Sequence, residues 1–457
     1  MAVARRDILK ATLVGSMGSL TGVNVKAQNA SDDYKALVCV FLFGGMDCHD
    51  LLIPYGTSAY ADYASVRYEL LTGYQGSRER SALAPLTGSG TASTPTFAFP
   101  PDLAGLQSLF NQSSSPLAVV GNVGPLVEPT TQAQLQDRSV RLPPRLFSHN
   151  DQQSVWQASQ PEGAQYGWGG LFADAVLARN SETTFTTITG GGAEVFLTGR
   201  ASSPYQVSLD GRTALELKEI IEEETTGSLQ SFDELIATQS TQSDHILVRD
   251  LASAFRSGFS ANKAFASAIK SAPTSAVSFP MTGLGRQLEM VARAISVNGQ
   301  MGVSRQIFLV GMGGFDTHSG QASWLPNLLR GMNDAFVAFN DRLAEFGYSD
   351  KVTLFTASDF GRTLSVNGDG TDHGWGGHHL VMGGAVNGGD IYGEVPPSVL
   401  GNERDAGQGR LIPTISVEEY AASLGRWFGL STEELRAALP NLTNFSDTTL
   451  SSLLKPS

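Results

Sequence analysis

Cysteine and positive charge are both scarce in this sequence. Its 457 residues include only two cysteines, Cys39 and Cys48, so a framework of several disulfide bonds is excluded. There are 31 Lys and Arg residues against 44 Asp and Glu residues, which gives a formal net charge of -13. A protein that binds nucleic acid needs a basic surface to neutralise phosphates, so this balance argues against a nucleic-acid partner.

Long apolar runs are also missing, and we expect no membrane span because no segment has 18 or more unbroken apolar residues. Residues 1–27 contain Arg5-Arg6, then Ile8–Lys10, a short and weakly apolar stretch, and the small-residue site Val25–Ala27. This order is typical of a bacterial twin-arginine signal peptide and predicts export to the periplasm or the extracellular space. The alternative interpretation is a frayed N-terminal helix with two incidental arginines.

Short apolar runs alternate with amphipathic segments along the rest of the chain. The runs are typical of strands buried on both faces, and the segments between them have helical spacing of apolar residues. This alternation predicts an α/β fold with a doubly wound, mostly parallel sheet flanked by helices. We expect residues 28–457 to form one such domain, with an insertion or cap around residues 180–280 that includes an acidic helix at Ala214–Glu224. The predicted strands are Ala36–Phe43, Leu117–Val120, Gln306–Val310, Val352–Thr356 and His379–Met382.

One sequence motif occurs twice directly after a predicted strand. It consists of Gly-Gly, an apolar residue, Asp, any residue and His. The first copy is Gly44–His49 and the second is Gly313–His318. A third strand end, Ser358–Thr363, is followed by Asp372–His379. In open α/β sheets, ligands bind beyond the carboxyl ends of the strands, so all these motifs are expected at one edge of the sheet.

Five of the seven histidines lie in these motifs, and a sixth, His149, follows Ser148. Mixed carboxylate and imidazole ligands suit Zn, Mn or Fe, and we expect one or two divalent ions, Zn or Mn. His378 and His379 cannot both face the site, because neighbours on a strand point to opposite faces, and His49 is an outer candidate. Taken singly, the aspartates fit turn capping equally well. The expected ligands are Asp47, Asp316, His318, Asp359, His373 and His378.

Two further residues are catalytic candidates. Ser148 is either a nucleophile at a helix N-terminus or the N-cap of that helix. Arg362 either binds a phosphate or sulfate oxygen or pairs with a neighbouring carboxylate.

The motifs together resemble the domain-of-unknown-function 1501 family of exported bacterial proteins, within the alkaline phosphatase/sulfatase-like superfamily. The resemblance implies a two-metal hydrolase acting on a small phosphate- or sulfate-containing substrate. Asp47 is similar to the first ligand, Asp316 with His318 to a later pair, and His373 or His378 to the last one. The motifs that carry the resemblance are Arg5-Arg6, Phe41–Tyr55, Ser148-His149, Phe315–His318, Ser358–Thr363, Asp372–Gly377, Ile412–Gly429 and Pro440–Leu442.

This chain departs from the superfamily pattern at one position. Asp359 stands where an Asp-His pair is expected, but Phe360 replaces the histidine, which leaves one metal position a ligand short. Two functions therefore remain open. The first is a metal-dependent hydrolase of phosphate or sulfate esters, and the second is a non-catalytic exported protein that keeps the fold, with or without one metal, for binding or surface assembly. Protein partners are not indicated by the sequence.

Overall fold

The computed structural model describes residues 33–88, 96–192, 194–207, 238–241, 245–446 and 450–456. The expected signal peptide (1–27) and the expected acidic helix (214–224) lie outside the described residues. The strands are β1 (Lys35–Leu42), β2 (Ile53–Pro54), β3 (Ala84–Pro85), β4 (Phe97–Phe99), β5 (Leu117–Gly124), β6 (Thr187–Thr189), β7 (Tyr205–Gln206), β8 (Arg305–Met312), β9 (Val352–Ser358), β10 (Gly377–Met382), β11 (Ile391–Tyr392) and β12 (Ile415–Ser416).

Helices connect and flank these strands. They are α1 (Cys48–Leu51), α2 (Thr57–Val66), α3 (Tyr68–Gly73), α4 (Ala104–Phe110), α5 (Gln132–Asp137), α6 (His149–Ala158), α7 (Trp168–Val176), α8 (Ile246–Lys270), α9 (Gly283–Ser296), α10 (Gln321–Glu345), α11 (Val417–Phe428) and α12 (Thr432–Ala438). Within the residues that the structure describes, no helix is both long enough and apolar enough to cross a membrane.

The main sheet has the strand order β11-β5-β10-β9-β1-β8-β6-β7, and β12 pairs with β5. The central strand β1 is parallel to both β8 and β9, whereas β10 runs antiparallel to β9 and β5. Strands β2, β4 and β3 form a small separate sheet. The predicted α/β fold, a mostly parallel sheet flanked by helices, is confirmed.

The side chains of β1 alternate between two hydrophobic cores, one on each face of the sheet. Ala36, Val38 and Val40 pack in the core that includes residues of α4, α9 and α10. Leu37 and Cys39 pack in the other core, with residues of α7, α11 and α12. A strand covered on both faces has no polar face, which is why the sequence shows a continuous apolar run.

The expected cap around residues 180–280 differs in part from the structure. Strand β6 is parallel to β8 and β7 is parallel to β6, so this part of the chain extends the main sheet. Helix α8 packs against the same edge, where the ring of Phe265 lies 5.9 Å from that of Phe185 and 5.1 Å from that of Tyr205. The sequence around these short strands is polar and rich in glycine, so it does not predict that they belong to the main sheet.

One edge of the sheet gathers the motifs singled out in the sequence. The carboxyl ends of β1, β8 and β9 lie there, and so does the amino end of β10, because β10 runs in the opposite direction. The chain leaves β1 through Gly44, which has a φ of +113°. A Cβ atom on Gly44 would collide with the backbone nitrogen of Asp316, so only glycine allows the β1 and β8 loops to approach this closely.

Candidate metal centre

Three imidazoles converge on the carboxylate of Asp316. Its Oδ1 atom lies 3.1 Å from Nε2 of His318 and 3.3 Å from Nε2 of His373, and its Oδ2 atom lies 3.5 Å from Nε2 of His149. The two Nε2 atoms of His318 and His373 are 2.8 Å apart. Asp316 and His318 follow β8, His373 precedes β10, and His149 is the first residue of α6. Four residues from three separate segments thus form one cluster.

The other ring nitrogen of each histidine has a hydrogen-bond acceptor beside it. Nδ1 of His149 lies 2.6 Å from Oδ2 of Asp359, and Nδ1 of His318 lies 3.3 Å from Oδ1 of Asp372. Nδ1 of His373 lies 2.7 Å from the carbonyl oxygen of Phe147. These acceptors favour the tautomer with its proton on Nδ1, in which Nε2 is the atom available to bind a metal, as in metal-binding histidines.

The donor set fits a divalent transition metal. Three imidazole nitrogens and one carboxylate suit Zn, Mn or Fe. Nε2 of His149 is buried and has no hydrogen-bond partner within the described part of the chain. Unprotonated Nε2 atoms that face each other and a carboxylate repel, and a shared cation would remove that repulsion. The cluster is open to solvent, since the side chains of Asp316 and His318 are 46% and 44% exposed.

The electrostatic environment differs among the members of the cluster. The hydrogen bond with Asp359 raises the pKa of His149, although desolvation opposes it. Burial lowers the pKa of His373. For Asp316, partial burial favours a higher pKa, but the hydrogen bond and charge of Arg362 outweigh it and lower the pKa. An ionised Asp316 beside a neutral His373 is the state that binds a cation.

Arg362 has a different role from the substrate-binding role predicted for it. Its guanidinium is fully buried and donates to Asp316 Oδ1 at 2.9 Å, to the carbonyl oxygen of Gly44 at 3.1 Å and to Oγ1 of Thr371 at 3.2 Å, and also to the Thr371 carbonyl. These bonds occupy the side chain, so it orients Asp316. The alternative interpretation of the sequence, in which Arg362 pairs with a neighbouring carboxylate, agrees with its ion pair to Asp316.

Phe360 forms an aromatic wall of the cluster. Its ring is 3% exposed and lies 4.8 Å from the ring of His149 and 4.5 Å from that of His373. The residue before it, Asp359, does not face the cluster directly. Its carboxylate accepts from Nδ1 of His149, from the amide of Gln153 at 2.9 Å and from the backbone N–H of Gly44 at 3.2 Å. Asp359, expected as a ligand, therefore supports a ligand.

Asp47 lies in a buried ion pair. Its carboxylate accepts two hydrogen bonds from Arg67, both side chains are fully buried, and the amide of Gln321 and the backbone N–H of His49 also donate to it. Burial alone would raise the pKa of Asp47, but the charge and hydrogen bonds of Arg67 lower it. This geometry does not support the predicted role of Asp47 as a metal ligand, because the guanidinium of Arg67 already neutralises its carboxylate.

The histidines of β10 and α1 are buried away from the cluster. Nδ1 of His378 accepts from the backbone N–H of Asn122 at 3.0 Å, and the ring of His379 packs against Trp156 with ring centres 4.8 Å apart. Burial lowers the pKa of His378 and of His379 to about 3 and that of His49 to about 4. The predicted ligand role of His378 is not supported by this geometry.

Ser148 stands at the N-cap position of α6 without a side-chain capping bond. Its hydroxyl donates instead to Oδ2 of Asp151 at 2.8 Å. It is the neighbour of His149 in the chain, and the carbonyl oxygen of Phe147 on its other side binds His373. Ser148 is therefore part of the segment that supports the cluster.

The sequence does not predict one member of the cluster, His149, as a ligand. It also assigns no role to two supporting residues, Asp372, which lies beside His318, and Arg67, which pairs with Asp47. Arg67 had no signal, since a lone arginine between two helices resembles any surface residue. The signal for His149 was its place in the dense set of loop histidines.

Comparison with known proteins shows the family of this chain. The family model described as "Protein of unknown function (DUF1501)" matches residues 34–435. The chain belongs to the DUF1501 family. No curated protein matches this DUF1501 chain.

Several solved structures are distantly similar to this DUF1501 chain. Ps i-CgsB, crystallised with k-i-k-neocarrahexaose, is 9% identical over 91% of this chain and 77% of its own, with a TM-score of 0.37. The PsFucS1 sulfatase from Pseudoalteromonas sp. is 11% identical over 92% and 72%, with a TM-score of 0.37. A mutant of alkaline phosphatase PafA is 11% identical over 73% and 64%, with a TM-score of 0.27.

Proposed function

We propose that this DUF1501 protein is a metal-dependent hydrolase of phosphate or sulfate esters that uses one divalent ion. The observation that carries the proposal is the convergence of three Nε2 atoms on the carboxylate of Asp316 at a solvent-open strand edge. The ester class rests on the motif resemblance seen in the sequence. The residues that would hold the ion are His149, Asp316 and His373, whose ligand atoms all lie within 4.8 Å of one another, and His318 lies beside them.

When bound, the ion polarises an oxygen of the ester and offsets the charge that develops there during hydrolysis. The protein's own residues hold the ligands in position. Asp359 and Asp372 orient His149 and His318 through their Nδ1 atoms, and Arg362 fixes Asp316. Such outer partners matter because they set the direction of each ligand's lone pair.

Ser148 is the proposed nucleophile. Its hydroxyl donates a hydrogen bond to Oδ2 of Asp151 at 2.8 Å. Asp151 is therefore placed to accept the proton as Oγ attacks the ester. Arg145 lies 3.4 Å from the same carboxylate and keeps it ionised in the resting state. The displaced alcohol then takes a proton from Asp151, and water hydrolyses the ester formed on Ser148.

A single ion is proposed because the region of Asp47 already holds a positive charge. The guanidinium of Arg67 is buried against that carboxylate and supplies the neutralisation that a second ion would supply. Phe360 adds no ligand atom to the centre. These two features also favour the second candidate function, an exported binding protein that keeps one metal without catalysis.

A substrate panel separates the two candidates. Zn-loaded and Mn-loaded protein would be tested against phosphate monoesters, phosphate diesters and sulfate esters, beside the His373→Ala and Ser148→Ala variants. The hydrolase proposal expects turnover that is lost in both variants, while the control His245→Ala, which changes a histidine outside the cluster, retains it. Turnover retained in Ser148→Ala would assign the attack to water, and no turnover with metal bound would favour the binding protein.

Export by the twin-arginine route is also proposed. Its support is the Arg5-Arg6 pattern followed by Ile8–Lys10 and the small-residue site Val25–Ala27. Fusion of residues 1–30 to a reporter that is active only after export tests this, with Arg5→Lys and Arg6→Lys together expected to abolish export. Full export of the double variant would exclude the twin-arginine route.

A further inference from the structure

A polar cleft of about 300 Å³ lies along helix α6, the helix that begins with His149. Asn150, Gln153 and Gln157 line it from the helix, and Glu162 and Glu194 face it from the two loops opposite. Its volume is at the lower end of the range for small-molecule sites, about 300 to 1,000 Å³. The cleft is large enough for one small polar group.

The cleft is linked to the candidate metal centre by a short chain of contacts. The side chain of Gln153 lines the cleft, and its Nε2 atom donates to Oδ2 of Asp359 at 2.9 Å. The same Oδ2 atom lies 2.6 Å from Nδ1 of His149. From Asn150 to Gln157 the helix rises about 10 Å, at 1.5 Å per residue. The cleft therefore lies beside the candidate metal centre, on the helix that carries His149.

The chemistry of the lining excludes a second anionic group. Glu162 and Glu194 contribute carboxylates, and none of the described lining residues is Lys, Arg or His. Three of the lining side chains donate hydrogen bonds within the protein: Gln153 to Asp359, Ser154 to Pro161 and Gln157 to Glu194. A carboxylate has several acceptor positions, so Glu162 and Glu194 can accept from a ligand that donates hydrogen bonds.

We propose that this cleft binds the alcohol part of the ester substrate, and that this part carries hydroxyl or amine donors and no negative charge. Sugars and amino sugars have this chemistry. The phosphate or sulfate group stays at the ion, and the cleft selects what is attached to it. This inference rests on the proposed hydrolase function, because it treats the ligand as part of an ester substrate. Binding in the cleft is measurable without turnover.

The first test measures binding of free sugars by NMR titration of the full-length, metal-loaded protein. Glucose and glucosamine are the probes, and glucuronate is the anionic comparison. We expect glucose or glucosamine to bind, and glucuronate to bind at least tenfold more weakly. Tighter binding of glucosamine than of glucose would assign the donor to an amine, and equal binding would assign it to the hydroxyls. Equal binding of glucuronate, or no binding of either neutral or amino sugar, would overturn the proposal.

Variants locate the binding site. Glu162→Gln and Glu194→Gln keep the size of the side chain and remove the charge, and each is expected to weaken binding of the preferred sugar at least fivefold. Glu433→Gln, on the exposed first turn of α12, is the matched control and should bind like the original protein. Unchanged binding in both cleft variants would overturn the proposal. Sugar binding without ester turnover would reject the hydrolase proposal and support the proposal for the cleft. Turnover at a rate that does not depend on the attached sugar would support the hydrolase and reject the proposal for the cleft.

Discussion

Nδ1 of His149 lies 2.6 Å from Oδ2 of Asp359, a carboxylate that is fully buried and held by two further donors. This contact fixes both the tautomer and the direction of the His149 ring. Because Asp359 follows β9 and His149 begins α6, it also ties the helix to the sheet edge. The geometry of the candidate metal centre therefore depends on a residue that need not touch the ion.

Asp359→Asn should weaken metal binding without removing a ligand. The amide loses the negative charge that supports Nδ1–H of His149, and loss of such outer partners typically costs about 10–100-fold in metal affinity. Competition with a chromogenic chelator measures the affinity for Zn. His149→Ala should lose more affinity than Asp359→Asn, and an Asp359→Asn protein with unchanged affinity would show that this contact does not support the centre.

Arg362→Met should destabilise the protein strongly. Its loss leaves the carbonyl oxygens of buried Gly44 and Thr371 without this donor, and a buried acceptor left unpaired typically costs about 1–3 kcal/mol. The lost ion pair with Asp316 adds little, because the side chain of Asp316 is 46% exposed. Urea unfolding measures it. Arg404→Met, which removes an exposed partner of Glu394, is the control and should cost under about 1 kcal/mol. Equal stabilities of the two variants would contradict the role given to Arg362.

Asp47→Asn separates stability from metal binding. The substitution leaves the buried guanidinium of Arg67 without its counter-charge, so we expect the free energy of unfolding to fall by about 3–5 kcal/mol. The metal content of the folded variant should not change, since Asp47 is bonded to Arg67 and Gln321 and not to the cluster. A variant that folds normally but loses its ion would restore Asp47 as a ligand.

Three buried histidines predict a loss of stability in acid. Burial lowers the pKa of His49 to about 4 and those of His378 and His379 to about 3, against about 6.5 in the unfolded chain. Between these values the unfolded chain binds the protons and the folded chain does not, so the free energy of unfolding falls as pH falls below about 6.5. Each histidine contributes about 1.4 kcal/mol per pH unit while this difference is complete.

Urea unfolding of metal-free protein between pH 7.5 and 5 measures this dependence, because metal release then makes no contribution. His379→Phe removes one titrating group from an aromatic environment formed by Trp156 and Tyr420. The slope of the variant should be shallower by about 1.4 kcal/mol per pH unit at the acid end of this range. A slope that is flat in the original protein, or unchanged in the variant, would contradict the assignment.

The strand pattern and the position of the site were predictable from the sequence because both are local. The apolar run of β1 and the Ser416–Glu419 pair, which forms a capping box at the start of α11, are set by neighbouring residues. The loop of Asp316 lies at the carboxyl edge of the sheet, as predicted, because parallel strands share that edge. His373 lies at the same edge because it precedes the amino end of the antiparallel strand β10.

The exact membership of the site was not predictable, because it depends on pairs far apart in the chain. Asp47 and Asp316 stand in nearly identical phrases, yet Arg67 pairs with the first and the histidines with the second. No sequence pattern around Asp47 predicts that it pairs with Arg67, twenty residues later in the chain. His149 joins the cluster only because α6 is placed against β9, which is a property of packing.

Metal content tests the central claim most directly. Protein purified without chelators would be measured by inductively coupled plasma mass spectrometry, beside Asp316→Ala and His373→Ala, with folding checked by circular dichroism. The account predicts about one equivalent of Zn or Mn per chain in the original protein, as a single site formed by His149, Asp316 and His373 requires, and its loss in both folded variants. Folded protein with no metal, or with two equivalents that survive both substitutions, would contradict it.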